Sequence, residues 1–183
     1  MSTNLWHDIS VGENIPNELN CIIEIPKGSH NKYEIDKDTG LIALDRANYN
    51  GAPYPMNYAF APQTLWEDGD ALDVLVMSTF PLDIGVLVAV RPIGIIDMVD
   101  SGESDAKIIA VPINDRRFDD IKDLPDFNKH VLKEWVHFFE TYKLLKGDDP
   151  NKYPVSIDSV RDKNGAMEAI TKSIELYKQK FQK

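Results

Sequence analysis

The chain has 183 residues, of which 43% are hydrophobic and 27% are charged, proportions that are ordinary for a folded globular protein. This length predicts one domain over residues 1–183, and the composition gives no sign of disorder. Thirty acidic residues against twenty basic ones give a net charge of −10. That charge argues against a nucleic-acid partner, but it leaves open a small anionic substrate that bound cations accompany.

Neither a signal peptide nor a membrane span is expected. Residues 1–8 lack the basic and apolar regions of a signal peptide, and apolar runs such as 85–90 are far too short to span a bilayer. The single cysteine, Cys21, lies in an apolar run and is interpreted as a buried hydrophobic residue. Because one cysteine cannot form an internal disulfide, the chain fits a reducing compartment, and we expect a cytoplasmic protein.

The first two thirds of the chain predict short strands separated by turns. Apolar residues dominate 20–25, and the segments 32–35 and 41–46 flank the turn 36–40 (Asp-Lys-Asp-Thr-Gly) as in a hairpin. Further runs rich in β-branched residues follow at 72–78, 85–96 and 107–112. Short strands punctuated by glycine and proline favour a small barrel or sandwich.

The last third predicts two helices. Apolar residues recur at helical spacing from Phe127 to Tyr142, with Asp123 as the expected N-cap and Gly147 as the expected stop. Residues 150–154 are interpreted as a connection between the helices. The second helix has one apolar face, formed by Ala166, Ile170, Ile174, Tyr177 and Phe181.

The strongest chemical signal is the acidic segment 68–73, which contains Asp68, Asp70 and Asp73 directly before an apolar strand. Carboxylates that crowd together repel one another, and a divalent cation that prefers oxygen ligands, such as Mg²⁺, would relieve the repulsion. Gly69 permits a sharp turn that aims several side chains at one point. Alone, such a segment is more often a solvated acidic turn. An EF-hand is excluded because Asp73 and Thr79 occupy the positions that require glycine and glutamate.

A second acidic group lies between the apolar runs 85–96 and 108–111, in a predicted hairpin loop. Two acidic turns beside neighbouring strands favour a shared site with several metal ions, which suits attack on phosphorus. The four histidines are scattered, with no closely spaced pair. The acidic residues of this group are Asp97, Asp100, Glu103 and Asp105.

Cationic and phenolic residues complete the candidate site. Lys32 and Glu34 lie on one face of a predicted strand, Arg46 ends the next strand, and Tyr142-Lys143 ends the long helix. Most such residues are surface charges or core tyrosines in an arbitrary protein. Composition and spacing therefore favour a metal–phosphate site without establishing one.

At these residues the sequence resembles the metal-dependent soluble inorganic pyrophosphatases of family I. The segment 68–74 (Asp-Gly-Asp-Ala-Leu-Asp-Val) matches the aspartate signature of that family, and seven further segments agree in order. The resemblance covers about residues 5–180. The further segments are 23–26, 32–36, 44–46, 54–58, 91–94, 105–107 and 137–143.

The resemblance implies a mainly β fold, a five-stranded closed OB-like barrel with two C-terminal flanking helices. It implies hydrolysis of pyrophosphate with several Mg²⁺ ions per active site, and a homohexamer as in prokaryotic members. Metal ligands are implied at Asp68, Asp73, Asp100 and Asp105.

The resemblance also implies roles for the other site residues. Asp70 matches the position that activates the attacking water, and Glu24 matches an acidic residue of the cavity. Tyr58, Lys32 and Arg46 are expected to take part in catalysis. Substrate binding is implied for Lys32, Glu34, Arg46, Tyr58, Lys107, Tyr142 and Lys143.

Two positions depart from the family pattern. Ser101 stands where glutamate is frequent, and Ala71 stands where proline or glutamate is usual.

Three alternative functions stay open at this stage. They are a broader metal-dependent phosphatase acting on nucleotides, a non-catalytic OB-type binding module, and a structural metal-binding protein. The net charge of −10 counts against an oligonucleotide binder.

Overall fold

A computed structural model describes residues 3–149 and 151–182. Within these residues the chain forms nine strands, two α-helices and two short 3₁₀ helices. The strands are β1 (Leu19–Ile25), β2 (Asn31–Ile35), β3 (Ile42–Ala47), β4 (Asn57–Phe60), β5 (Asp73–Val76), β6 (Leu87–Asp100), β7 (Glu103–Ser104), β8 (Lys107–Pro112) and β9 (Val155–Asp162). The helices are α1 (Lys129–Thr141) and α2 (Lys163–Phe181).

Seven of the described strands form one sheet, and β2 and β3 form a separate antiparallel hairpin. The order in the sheet is β1-β4-β5-β8-β6-β7, β9 pairs with β6, and β6 also pairs with β1. Strands β5 and β8 run parallel, with Asp73 opposite Lys107. The mainly β fold with two helices agrees with the sequence expectation, although β7 and β9 add two strands to the five expected.

The central strands are buried on both faces. Alternate residues of β5 contribute to different clusters, because Val74 packs with residues of α2 and Leu75 packs with residues of α1. In β8, Ile108 and Ile109 divide in the same way. This arrangement explains why these strands appear in the sequence as continuous apolar runs rather than as alternating patterns.

Three strand predictions need correction. Strand β4 was missed because it is short and begins with a polar residue, Asn57. In the structure Asn57 is fully buried, and its side chain donates to the carbonyl oxygen of Val76 and to Ser78. Strand β9 was missed as well and lies between the helices, where only a connection was expected. Strand β6 continues to Asp100, so the acidic group is not confined to a hairpin loop and the turn itself is the pair 101–102.

The capping of the first helix was predicted wrongly. Asp123 caps a 3₁₀ helix, Leu124–Asp126, whereas the N-cap of α1 is Asn128, whose side chain accepts from two backbone amides. Helix α1 also ends at Thr141, well before Gly147. None of the described helices is both long enough and apolar enough to cross a membrane.

Helix α2 offers a test of its N-terminal cap. The Asp162 carboxylate accepts from the backbone amides of Asn164 and Gly165 at 3.0 and 3.3 Å. We expect Asp162→Ala to lower the free energy of unfolding by about 1 kcal/mol, as loss of such a cap usually does. Urea denaturation would measure this. Asp158→Ala, at an exposed position of the same strand, should be nearly neutral, and equal effects of the two changes would contradict the capping role.

Candidate active site

A cleft of about 400 Å³ collects the acidic residues that the sequence analysis singled out. Its described lining includes eight carboxylates and three lysines. They come from β1, the β2–β3 hairpin, the β4–β5 loop, β5, the end of β6, β7 and the residue after it, and the segment after α1. The carboxylates are Glu24, Glu34, Asp68, Asp70, Asp73, Asp100, Glu103 and Asp105, and the lysines are Lys32, Lys37 and Lys143.

The floor of the cleft is a buried network around Lys107, which is 1% exposed. Its ammonium group donates to Asp73 and Asp105, each at 2.8 Å, and to the hydroxyl of Tyr58 at 2.9 Å. The Tyr58 hydroxyl in turn donates to Asp73. Burial alone would lower the pKa of Lys107, but the carboxylates of Asp105 and Asp73 raise it above its usual value. The lysine is therefore a fixed positive charge beneath two carboxylates.

One wall of the cleft is the loop between β4 and β5, which carries Asp68 and Asp70. Gly69 has a φ of 89°, a left-handed conformation that glycine adopts without strain, and so permits the sharp turn expected from the sequence. The backbone amide of Asp70 donates to the Asp68 carboxylate at 3.0 Å. The Asp70 side chain forms an ion pair with Lys37 from the tip of the β2–β3 hairpin.

Another part of the wall contains Asp100 and Lys143, which form an ion pair. Burial would raise the pKa of Asp100, but the ion pair with Lys143 and a hydrogen bond from Ser101 lower it below its usual value. The Tyr142 hydroxyl lies 3.4 Å from the same carboxylate. Ser101, where the family often has glutamate, lines the cleft and donates to Asp100 at 3.0 Å.

The β2–β3 hairpin forms a further part of the wall, and in it cationic side chains lie next to carboxylates. Lys32 forms an ion pair with Glu34 and lies 3.6 Å from Asp45, and Arg46 pairs with the same Asp45. Burial, followed by the nearby guanidinium of Arg46, lowers the pKa of Lys32. Residues Lys32 and Arg46 face each other in the β2–β3 register.

Three carboxyl groups have raised pKa values because burial disfavours their charged forms. Burial raises the pKa of Glu24 to about 8, with the negative charge of Asp73 adding to the effect. Burial also raises the pKa of Asp68 to about 6 and that of Asp73 to about 7. Glu24 accepts from the backbone amide of Ile35 at 2.6 Å, so it also connects β1 to the hairpin.

The donor set fits a hard divalent cation. All of the acidic groups in the lining are oxygen donors, and burial raises the pKa values of Asp68 and Asp73 because it makes their charged forms costly, a cost that a bound cation would offset. Among residues 3–149 and 151–182, no three histidine, cysteine or acidic side chains converge closely enough to hold an ion alone. Mg²⁺ suits such a site, because it commonly uses one or two carboxylates together with water and phosphate oxygens.

Most of the predicted site residues meet at this cleft. Three lie beside the lining that the described residues form: Lys107 and Tyr142 are buried beneath it, and Arg46 stacks over Tyr49 at 5.2 Å. Sequence reasoning missed Lys37 and Asp45 as neighbours of the site. Their positions depend on how the hairpin folds over the loop, for which the sequence carries no separate signal.

Comparison with known proteins agrees with this geometry. A family model described as inorganic pyrophosphatase matches residues 21–178. A soluble inorganic pyrophosphatase of Solanum tuberosum is 45% identical over 175 residues, which cover 94% of this chain and 79% of that protein. An inorganic pyrophosphatase of Haloferax volcanii is 41% identical over 181 residues, covering 97% of this chain and 98% of the relative.

Solved structures give the same result. The crystal structure of inorganic pyrophosphatase from Thermus thermophilus superposes with a TM-score of 0.91 at 44% identity. The match covers 96% of this chain and 99% of that chain. The resemblance found in the sequence is thereby confirmed, and the chain belongs to the inorganic pyrophosphatase family.

Proposed function

We propose that this chain hydrolyses inorganic pyrophosphate to two phosphates. The observation that carries the proposal is the cleft itself, in which eight carboxylates and three lysines surround about 400 Å³ in a member of this family. Carboxylates suit cations, and lysines suit the oxygens of a polyanion. A small substrate rich in charge and poor in apolar surface matches such a lining.

Mg²⁺ is the cofactor that this donor set suits best, with several ions per site. Asp68, Asp73 and Asp105 would hold the principal ions, and Asp100 would hold a further one. When bound, Mg²⁺ neutralises phosphoryl oxygens and lowers the pKa of a coordinated water. Lys107 keeps Asp73 and Asp105 in position from below.

The cationic residues bind the two phosphoryl groups. Lys32 and Arg46 approach from the hairpin, and Lys143 and Tyr142 approach from the part of the wall that contains Asp100. Glu34 belongs to the same substrate region through its ion pair with Lys32, and Tyr58 and Lys107 support it from the floor. Positive groups on two sides suit a symmetric substrate with negative charge at both ends.

Asp70 acts as the base that orients and deprotonates the attacking water. It lines the cleft but does not share the Lys107 network that holds Asp73 and Asp105. Its side chain is 55% exposed, which leaves the carboxylate accessible to water. The neighbouring Asp68 fixes the backbone of Asp70 through a hydrogen bond, and Glu24 contributes to the acidic cavity.

The proposal extends to architecture and assembly. Five strands pair in the cycle β1-β4-β5-β8-β6-β1, and this cycle supports a closed OB-like barrel. We propose that residues 1–183 are a single domain, that the protein is cytoplasmic, and that it assembles as a homohexamer. The assembly and the compartment rest on the resemblance and on the charge and composition of the chain.

Phosphate release tests the reaction directly. We expect turnover of pyrophosphate with Mg²⁺, loss of turnover in excess EDTA, and recovery when Mg²⁺ is restored, since the site depends on cations to neutralise the substrate. We also expect a much lower kcat/KM for ATP, because cationic groups on both sides of the cleft leave little room for a nucleoside. Turnover in EDTA, or comparable kcat/KM for ATP and pyrophosphate, would contradict the proposal.

The role of Asp70 is tested by comparing it with Asp73, the first residue of the strand that follows its loop. Asp70→Asn removes a proton acceptor, so kcat should fall by about 10²- to 10⁴-fold, the usual contribution of general-base catalysis, with little change in Mg²⁺ affinity. Asp73→Asn should weaken Mg²⁺ binding together with activity. Asp120→Asn, at an exposed position outside the cleft, is the matched control. Full recovery of Asp70→Asn at high Mg²⁺ would refute the assigned role.

The raised carboxyl pKa values predict how Mg²⁺ affinity depends on pH. Asp68 and Asp73, with pKa values of about 6 and about 7, hold protons that an incoming ion must displace. The apparent Kd for Mg²⁺ should therefore fall as the pH rises from about 6 to 8, and the fall should level off towards pH 8 as fewer protons remain to be displaced. Calorimetric titration in two buffers would count those protons. Carboxyl groups with ordinary values near 4 would give a flat profile over this range.

A further inference from the structure

The ends of the loop that carries Asp68 and Asp70 are joined by one backbone hydrogen bond and by a buried hydroxyl, that of Thr64. The loop runs from Ala61, just after β4, to Leu72, just before β5. The backbone amide of Ala61 donates to the carbonyl of Leu72 at 2.9 Å. In the other direction the two residues are joined through Thr64, whose hydroxyl accepts from the Leu72 amide at 2.9 Å and donates to the Ala61 carbonyl at 2.6 Å.

Thr64 is 0% exposed, so water cannot replace this hydroxyl. Its removal would leave one buried donor and one buried acceptor unpaired, and the backbone of Leu72 would have to shift to find another partner. Leu72 directly precedes Asp73, so any such shift is transmitted to a carboxylate of the cleft floor.

Within the loop, the amide of Trp66 donates to the Asp70 carbonyl at 2.7 Å, and the amide of Gly69 donates to the Trp66 carbonyl at 3.1 Å. These bonds form a small turn that carries Asp68 and Asp70. The Trp66 indole donates to Ser104 of β7 at 3.2 Å, and the Leu65 amide donates to the Ser173 carbonyl of α2 at 2.9 Å, so the middle of the loop is held to its neighbours. Among the described residues, Thr64 alone uses its side chain to join the two ends of the loop, and its own carbonyl accepts from the indole of Trp6 at 2.8 Å.

We propose that Thr64 is a positioning residue for the metal-binding carboxylates, because its hydroxyl fixes the loop that presents Asp68 and Asp70 and the backbone directly before Asp73. This inference rests on the proposed metal site. Thr64 itself lies outside the lining of the cleft that the described residues form, so it acts through the loop and contacts neither metal nor substrate.

The test compares Thr64→Val, which keeps the shape of the side chain and removes the hydroxyl, with Thr64→Ser, which keeps the hydroxyl. Calorimetric titration of the full chain with Mg²⁺ measures binding independently of turnover. For Thr64→Val we expect the Mg²⁺ Kd to rise by about tenfold, within the range found for residues that support metal ligands. Thr64→Ser should bind Mg²⁺ about as tightly as the unaltered protein.

Ser78→Ala is the matched control. Ser78 is also a buried hydroxyl with two hydrogen bonds, to Asn57 and to the carbonyl of Phe80, but it follows the far end of β5 from Asp73. It should lower Tm while leaving the Mg²⁺ Kd unchanged, whereas Thr64→Val should change both. If Thr64→Val does not fold, Thr64→Ala replaces it and the same rise in Kd is expected.

The outcomes separate this inference from the proposed function. An unaltered protein that neither binds Mg²⁺ nor hydrolyses pyrophosphate would refute the function itself. An active protein in which the folded Thr64→Val or Thr64→Ala variant binds Mg²⁺ with unaltered Kd would refute the role of Thr64 alone. A raised Kd in Thr64→Ser equal to that in Thr64→Val would also refute it, since the hydroxyl would then not be the cause.

Discussion

The ammonium group of Lys107 lies between the carboxylates of Asp73 and Asp105, and both the sheet and the cleft depend on that contact. A buried charge without partners is strongly destabilising, so the lysine requires both carboxylates and they require the lysine. The parallel pairing of β5 with β8 places Asp73 opposite Lys107. Because a slip of one residue would turn each side chain to the other face of the sheet, the register that satisfies the hydrophobic core is also the register that assembles the floor of the cleft.

Two ion pairs in the walls of the cleft are more exposed to solvent than the ion pairs in its floor. Lys37 with Asp70 and Lys32 with Glu34 are at least partly exposed pairs, and such pairs contribute little to stability. Under the proposed function, each of these walls can exchange one partner for another at small cost, since Lys32 is assigned to phosphate and Asp70 to water. Under the same function, Lys143 and Asp100 would pair a phosphate-binding residue with a metal-binding one, although both of these side chains are largely buried. The buried contacts of the floor hold the fold, whereas the more exposed pairs of the walls would exchange partners without loss of it.

The sequence predicted the apolar strands and the carboxylates better than their spatial relations. Strand β9 shows why: its apolar residues alternate, except that Asp158 and Ser159 are adjacent polar residues between Ile157 and Val160. In the structure a bulge at this point accommodates the extra residue, and the interrupted alternation concealed the strand. Asp45 illustrates the same limit at the site, because its contact with Lys32 arises from pairing across a hairpin. Segment patterns predict elements, whereas contacts across elements depend on register.

The charge of the cleft bears on how a polyanion could enter it. Eight carboxylates against three lysines in the described lining leave a formal excess of five negative charges, and the net charge of −10 for the chain acts in the same direction. Like charges disfavour association, so a free polyanion would be repelled at the entrance. Burial separately raises the pKa values of Asp68 and Asp73, because it makes their negative charge costly. Under the proposed function, cations would relieve both effects at once and would couple substrate binding to cation binding through electrostatics, before any chemical step.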